Sequence, residues 1–299
     1  FISSRYGKSF ALGSLVTVIA VIGTTPYISL QLKSIATSFN LLVGFRNPSF
    51  VTYGNPFGID TTLVVAIALA LFAILFGTRH IEAREHHEGL VVAIAFESLV
   101  KLFAFLSVGF FVTFSVFDGF GDLFYQAQSF GLSHLFIVNG GRGYSQWITM
   151  TVLSMAAILF LPRQFYISAV ENKDESQLRT AAWLFPLYLL VINIFVLPIA
   201  ISGKMAFSGS ASDADMFVLT VPLHFDQAQL ALFAFIGGLS AATSMVIVAA
   251  IALSTMVCNN LVMPLLLRWN WVNVEERSDL SGLLLGIRRA SILIILLLG

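Results

Sequence analysis

The chain has 299 residues, 58% of them hydrophobic and only 11% charged, with equal numbers of acidic and basic side chains. A soluble domain carries about a quarter charged residues, so charge this sparse, collected between long apolar stretches, points to an integral membrane protein. No basic tract suggests nucleic acid, and the single cysteine, Cys258, excludes a disulfide framework or a cysteine zinc site and reads as a small buried hydrophobe.

Seven apolar runs follow one another, near residues 11–38, 61–78, 89–114, 145–167, 181–202, 228–262 and 283–299. Six have room to cross a hydrocarbon layer of ~30 Å, which takes ~20 helical residues, and the second is marginal. Transmembrane strands are excluded by the absence of alternating ten-residue patterns and by the cost of an open sheet edge in lipid. The expectation is an all-α membrane bundle of about seven spans, forming one domain over residues 1–299. Pro26, Pro186, Pro198 and the pair Gly237 and Gly238 fall inside spans, where neighbouring helices must satisfy the freed backbone groups. The chain opens on Phe1, shows no readable signal peptide and stops within "SILIILLLG", so it is expected to be an internal piece of a longer protein.

Lys and Arg alternate along the connections. The N-terminal segment has Arg5 and Lys8, the second-to-third connection Arg79 and Arg84, the fourth-to-fifth Arg163, Lys173 and Arg179, and the sixth-to-seventh Arg268, Arg277, Arg288 and Arg289. The other three connections hold one each, Arg46, Arg142 and Lys204, which makes eleven against three. The positive-inside rule then places the N-terminus and the richly charged connections in the cytoplasm. The 115–144 connection, with Gly119, Gly121, Gly140, Gly141 and Gly143, is expected outside the cell with a short interfacial helix.

The turn "HIEAREHHE" offers His80, His86, His87 and three Glu as possible metal ligands. It lacks the H-E-x-x-H spacing that puts two His on one helical face, so it reads as a solvated turn that fixes topology. No His lies in an apolar run, which excludes transmembrane bis-His haem. Glu97 and Lys101 do lie in one, ~12 and ~18 Å from Gly89 at ~1.5 Å per residue. An unpaired charge there costs ~2.5–3.5 kcal/mol on insertion scales. Their i,i+4 spacing, Glu first, favours mutual pairing on one helical face. They read either as a structural ion pair or as part of a gate or proton path.

The stretch "FGTRHIEAREHHEGLVVAIAFESLVKLFAFLSVG" resembles the sodium/solute symporter family, where a short cytoplasmic turn leads into a helix of the form G-G-x-x-A-x-x-W-T-D-x-x-Q. Gly89 and Leu90 match its start and Glu97 stands where the family has Asp, while Phe96 and Lys101 depart from the pattern. "LPRQFYISAVENKDESQLRTAAWLFPLYLLVINIFVLPIA" is similar to the next segment, whose aromatic helix ends in N-Q-Y. Gln164 matches the Gln, Arg163 replaces the Asn, and Ala156 and Leu159 stand where sugar carriers place polar or Tyr contacts, which argues against a sugar.

"GGLSAATSMVIVAAIALSTMVCNNLV" is similar to the small-residue helix that gives the family's sodium site a carbonyl and two hydroxyls. Aligned on Ser254 and Thr255, the carbonyl falls at Ala241, the first hydroxyl at Ser244 and the second at Met245. A thioether is a soft ligand unsuited to a hard cation, and Thr243 could replace it only if the helix rotated. The stretch reads either as close helix packing or as a residual ion site. The resemblance implies a LeuT-like inverted-repeat bundle around a midplane site, of which this chain would hold the third to ninth core helices.

Three stretches, "TRHIEAREHHEGLVVAIAFESLVKL", "LFLPRQFYISAVEN" and "WLFPLYLLVINIFVLPIA", look most like bacterial sensor histidine kinases that carry a symporter-like membrane domain. The resemblance implies a multi-pass domain of the bacterial inner membrane that binds and carries a small solute, an amino acid such as histidine or proline. Sodium or a proton would be the coupling ion, and a C-terminal kinase region in the parent chain a partner. These residues hold no nucleotide-binding or phospho-acceptor motif, so no enzyme is expected in this chain. The alternative is a stand-alone sodium- or proton-coupled symporter without signalling, and a membrane enzyme using the His/Glu turn is a third reading. For the solute path the candidates are Tyr27 and Gln31, on one face of the first span, and Phe160, Pro162, Arg163 and Gln164 at the end of the fourth.

Overall fold

The computed structural model describes residues 2–7, 9–46, 60–77, 88–136, 140–170, 172, 174–208, 213–268 and 281–299. Among them every regular element is a helix. The long ones are α1 (Phe10–Arg46), α2 (Thr61–Gly77), α3 (Glu88–Phe111), α4 (Phe120–Ser129), α5 (Gly140–Phe160), the short α6 (Pro162–Phe165), α7 (Glu175–Asn193), α8 (Val196–Ala206), α9 (Phe217–His224), α10 (Ala228–Val257) and α11 (Ser281–Leu298). The His/Glu turn, Arg79, Arg84 and Lys173 lie outside the described residues.

Each of the seven apolar runs is helical, and five helical stretches are long and apolar enough to cross a membrane: Phe10–Phe45, Val91–Val116, Ser176–Ala206, Ala228–Arg268 and Ser281–Leu298. A sixth forms if Gly143–Ile158 and Pro162–Ala169, bent by 42° at the intervening break, count as one span. Thr61–Leu75 is shorter than a full crossing. The bend has a local cause: Leu161 is extended and Pro162 opens α6, a residue whose ring forbids continuation of the preceding helix. The glycine-rich connection carries α4, as the sequence leads one to expect. Arg288 and Arg289 fall within α11 and not in the connection before it. Arg288 faces the buried thiol of Cys258, with its Nε buried and lacking a hydrogen-bond partner.

Helix α10 is the centre of the molecule. In its most apolar 18-residue window 72% of residues are buried, against 11–22% in the other four spans. It packs on α1, α2, α3, α9 and α11, which its run of Ala, Ser and Gly allows by letting backbones approach. Closest is the approach to α3 at Gly237, where an added Cβ would lie 2.6 Å from Ala104 Cβ. Exposed Leu, Ile, Val and Phe on the outer helices are what lipid-facing surface requires.

Two apolar clusters flank this axis. One joins α1, α2, α10 and α11 through Ile28, Leu32, Ala73, Val246 and Ile292. The other joins α3, α4, α8, α9 and α10 through Val108, Leu123, Ile201, Val221 and Ala234. Polar side chains tie the elements where apolar packing alone gives little drive in lipid. Ser14 Oγ donates to the Asn260 carbonyl at 2.8 Å, and Asn260 Nδ2 donates to Thr17 Oγ1 at 3.0 Å. Tyr188 Oη donates to the Ser98 carbonyl at 3.2 Å, linking α7 to α3. Helix α7 begins on Asp174, whose carboxylate accepts from the Ser176 amide at 3.0 Å and from its hydroxyl at 2.7 Å, satisfying an otherwise orphan donor of the first turn.

Candidate functional site

Three helical stripes converge between the two clusters. On α1, Tyr27, Gln31, Ser34 and Ser38 are spaced by four, three and four residues and share one face. On α3, Lys101, Ala104 and Phe105 follow the same rule, and on α10 so do Ala234, Gly237, Gly238, Ala241 and Met245. All of these except Tyr27 line, together with the turn before α9 and its first residues, a cavity of about 340 Å³, within the ~300–1,000 Å³ of small-molecule sites. Its polar wall consists of Gln31, Ser34, Ser38, Lys101 and Asp215. Lys101 is thirteen residues into α3, hence ~20 Å along it and near the middle of its span.

Beside this cavity is a linked set of side chains from three elements. Arg163 Nη1 donates to Tyr27 Oη at 2.5 Å, and the guanidinium carbon lies 4.7 Å from the Tyr27 ring centroid. Tyr27 Oη in turn donates to Met245 Sδ at 2.8 Å. The break before Pro162 turns α6 inward and carries Arg163 to α1, so one bent span supplies a fixed cation to the first span. A guanidinium stacked on an aromatic face while its N–H meets the phenol oxygen is favoured twice over when desolvated.

The atoms proposed for a cation are engaged within the protein. The Ala241 carbonyl accepts from Ser244 Oγ at 3.1 Å, and Thr243 Oγ1 donates to the Ser240 carbonyl at 2.9 Å. Met245 Sδ accepts from Tyr27. Both hydroxyls thus bond back to their own helix, as serine and threonine side chains can. With a thioether in place of an oxygen and the Tyr27-bound guanidinium beside it, this set suits a hard monovalent cation poorly. Among the described residues no group of three His, Cys, Asp or Glu could hold a metal.

Glu97 and Lys101 do not form an ion pair with each other. The Glu97 carboxyl faces Ser244, with its Oε2 buried and without a hydrogen-bond partner. The charge that acts on Lys101 is that of Arg163. The i,i+4 spacing permits the pair, but α10 draws the carboxylate toward its own hydroxyl while Lys101 opens onto the cavity. An unpaired ammonium near mid-span costs ~2.5–3.5 kcal/mol on insertion scales, a cost that a hydrated or ligand-filled cavity reduces.

The remaining path candidates divide. Gln31 lines the cavity, whereas Phe160 is 76% exposed on the outer surface. Pro162 sets the bend, and Gln164 is absent from the cavity wall. Sequence reading missed Ser34, Ser38 and Asp215. The first two were accessible as an extension of the Tyr27–Gln31 face. Asp215 was not, because it reaches the wall from a connection whose course only the fold defines.

Compared with known proteins, the chain is 23% identical over 225 residues to the uncharacterized symporter YhjB of Bacillus subtilis (strain 168), a match that covers 75% of this chain and 42% of that protein. The chain thus spans less than half the length of the relative it matches. No protein-family model and no solved structure matches. This likeness, with the apolar helices, supports a symporter-like multi-pass membrane protein.

Proposed function

We propose that this chain is the solute-binding part of a membrane carrier, with the cavity between α1, α3, α9 and α10 as its binding site. One observation carries the reading. At the centre of a bundle of lipid-length helices, polar and charged side chains from different elements line one small-molecule-sized space, which is where transporter sites lie. The solute is a small amino acid such as proline or histidine, and the helices belong to an inverted-repeat arrangement in the bacterial inner membrane with the N-terminal segment cytoplasmic. In the parent protein the two-state motion of such a carrier biases an attached histidine kinase; the sequence resemblance alone supports that part. Purified full-length protein in proteoliposomes tests the core of the reading. It should take up labelled L-proline or L-histidine, and impermeant labels should reach Arg142 and the His/Glu turn from opposite sides.

The coupling ion, in this proposal, is a proton and not sodium. Support comes from the Met245 thioether, a soft ligand among the candidate atoms, from the Arg163 guanidinium held on the same Tyr27 hydroxyl that bonds Met245, and from the partnerless Oε2 of Glu97. Replacing sodium by choline should then leave uptake unchanged. Glu97→Gln should abolish the response to an imposed pH gradient while exchange of solute persists. Uptake that collapses without sodium would return the ion site to α10.

A further inference from the structure

Lys101 is the one cation in the cavity wall, and the protein supplies it with no counter-charge among the described residues. Glu97, one turn earlier, turns to Ser244. Asp215 lines the same cavity from the exposed turn that leads into α9 without forming an ion pair to Lys101, and the charge that acts on the ammonium is the like-signed Arg163. At Gly237 the backbone of α10 comes so near to α3 that an added Cβ would lie 3.4 Å from Lys101 Cα. Lys101 therefore starts from a tightly held stretch of backbone, and its own flexible stem delivers the ammonium into the space. An ammonium with three donors, held near mid-span beside a second cation, selects for an anion.

We propose that Lys101 recognises the solute by its carboxylate, and that the cavity takes small monocarboxylates, zwitterionic amino acids among them. This rests on the solute-binding reading above and adds the chemical group that is read. Two observations narrow the class. Asp215 in the same wall disfavours a second negative charge on the ligand, and it offers a partner for the amino group of a zwitterion. Gln31, Ser34 and Ser38 supply neutral donors and acceptors across the cavity, enough to orient one small polar solute but not to neutralise a phosphate.

Binding to the full-length protein in detergent tests this with L-proline, L-histidine, L-lactate and acetate, each against its amide, and with succinate as a dicarboxylate. The acids should bind the wild type at least tenfold more tightly than the amides, and succinate more weakly than the monocarboxylates. Lys101→Gln should erase the difference between acid and amide, and Lys101→Arg, which keeps the charge, should retain it. Gel filtration of both variants guards against reading misfolding as lost recognition. Amides that bind the wild type as well as their acids would overturn carboxylate recognition while leaving the cavity as a solute site. An acid preference that survives Lys101→Gln would overturn the assignment to Lys101. Failure of the wild type to bind any of these probes would overturn both readings.

Discussion

Replacing Gly237 by Ala tests the contact that holds the centre of the bundle together. The new Cβ would stand 2.6 Å from Ala104 Cβ, 3.4 Å from Lys101 Cα and 3.6 Å from the Val100 carbonyl oxygen. Carbon pairs are comfortable at ~3.5–4.0 Å, so α3 and α10 must separate by about 1 Å at this point. No side-chain rotation relieves the clash, because Ala104 Cβ is fixed to its backbone. Overpacking of this kind costs ~1–3 kcal/mol, more than the ~0.8–1 kcal/mol that alanine returns over glycine in a helix interior. The adjacent Gly238 is an internal control, since nothing lies within 4 Å of a Cβ there, and Gly238→Ala should be neutral or slightly stabilising. Unfolding in mixed micelles should rank the variants in that order. Adding Ala104→Gly to Gly237→Ala should recover part of the loss, with a coupling of ~0.5–3 kcal/mol in a double-mutant cycle. Equal stabilities for the two glycine variants, or no recovery in the double mutant, would show that the helices are not in contact at this level.

Other perturbations bear on other joints. Tyr27→Phe removes the hydroxyl that joins Arg163 to Met245 and should cost ~1.5–3 kcal/mol, the range for a hydrogen bond to a charged group. Tyr27→Leu, which also removes the ring face, should cost a further ~0.5–2 kcal/mol, both measured by unfolding of the full protein in detergent. Asn260→Ala removes the Nδ2 bond to Thr17 but keeps the backbone carbonyl that Ser14 bonds, so it should cost about 0.6 kcal/mol, the average for polar contacts between membrane helices, and no more than ~1.7 kcal/mol; a larger loss would show that the Asn260 side chain carries more than this one bond. At Asp174 the Ser176 amide and hydroxyl hold the carboxyl below its ordinary value of 3.8. A lowered folded value means that its contribution is complete above that pH and fades as the pH falls through the folded value. Asp174→Asn should flatten the acid limb of stability below about pH 4, and an unchanged limb would show that the cap does not form.

Five of the spans were legible because lipid imposes a single length and a single polarity on whatever crosses it; of the seven expected, the second is too short for a full crossing and the fourth crosses only if its two helices, bent by 42°, count as one. Their ends were less so: the fifth run begins at Asp174 because that side chain caps the helix, five or more residues before the apolar stretch makes it obvious. Pairings across the bundle were least legible. Spacing on α3 alone favours Glu97 with Lys101, since a sequence shows only neighbours on the same helix. The fold brings Ser244 to one and a cavity to the other, and local pairing loses to tertiary contact.

Arg163 shows why this matters for function. In sequence it is one of several basic residues in a connection, counted toward topology and set where the motif it resembles has Asn. Its significance depends on the turn at Leu161 and Pro162, which swings a short helix back against α1 and stacks the guanidinium on Tyr27. Met245 then ceases to be an isolated oddity of α10. Its thioether accepts from the phenol that the Arg163 guanidinium also bonds, so that residues far apart in sequence form one physical arrangement with a positive charge that is covalently part of the chain. The cavity beside it, with Lys101 in its wall, is the place we propose for the charge of the solute.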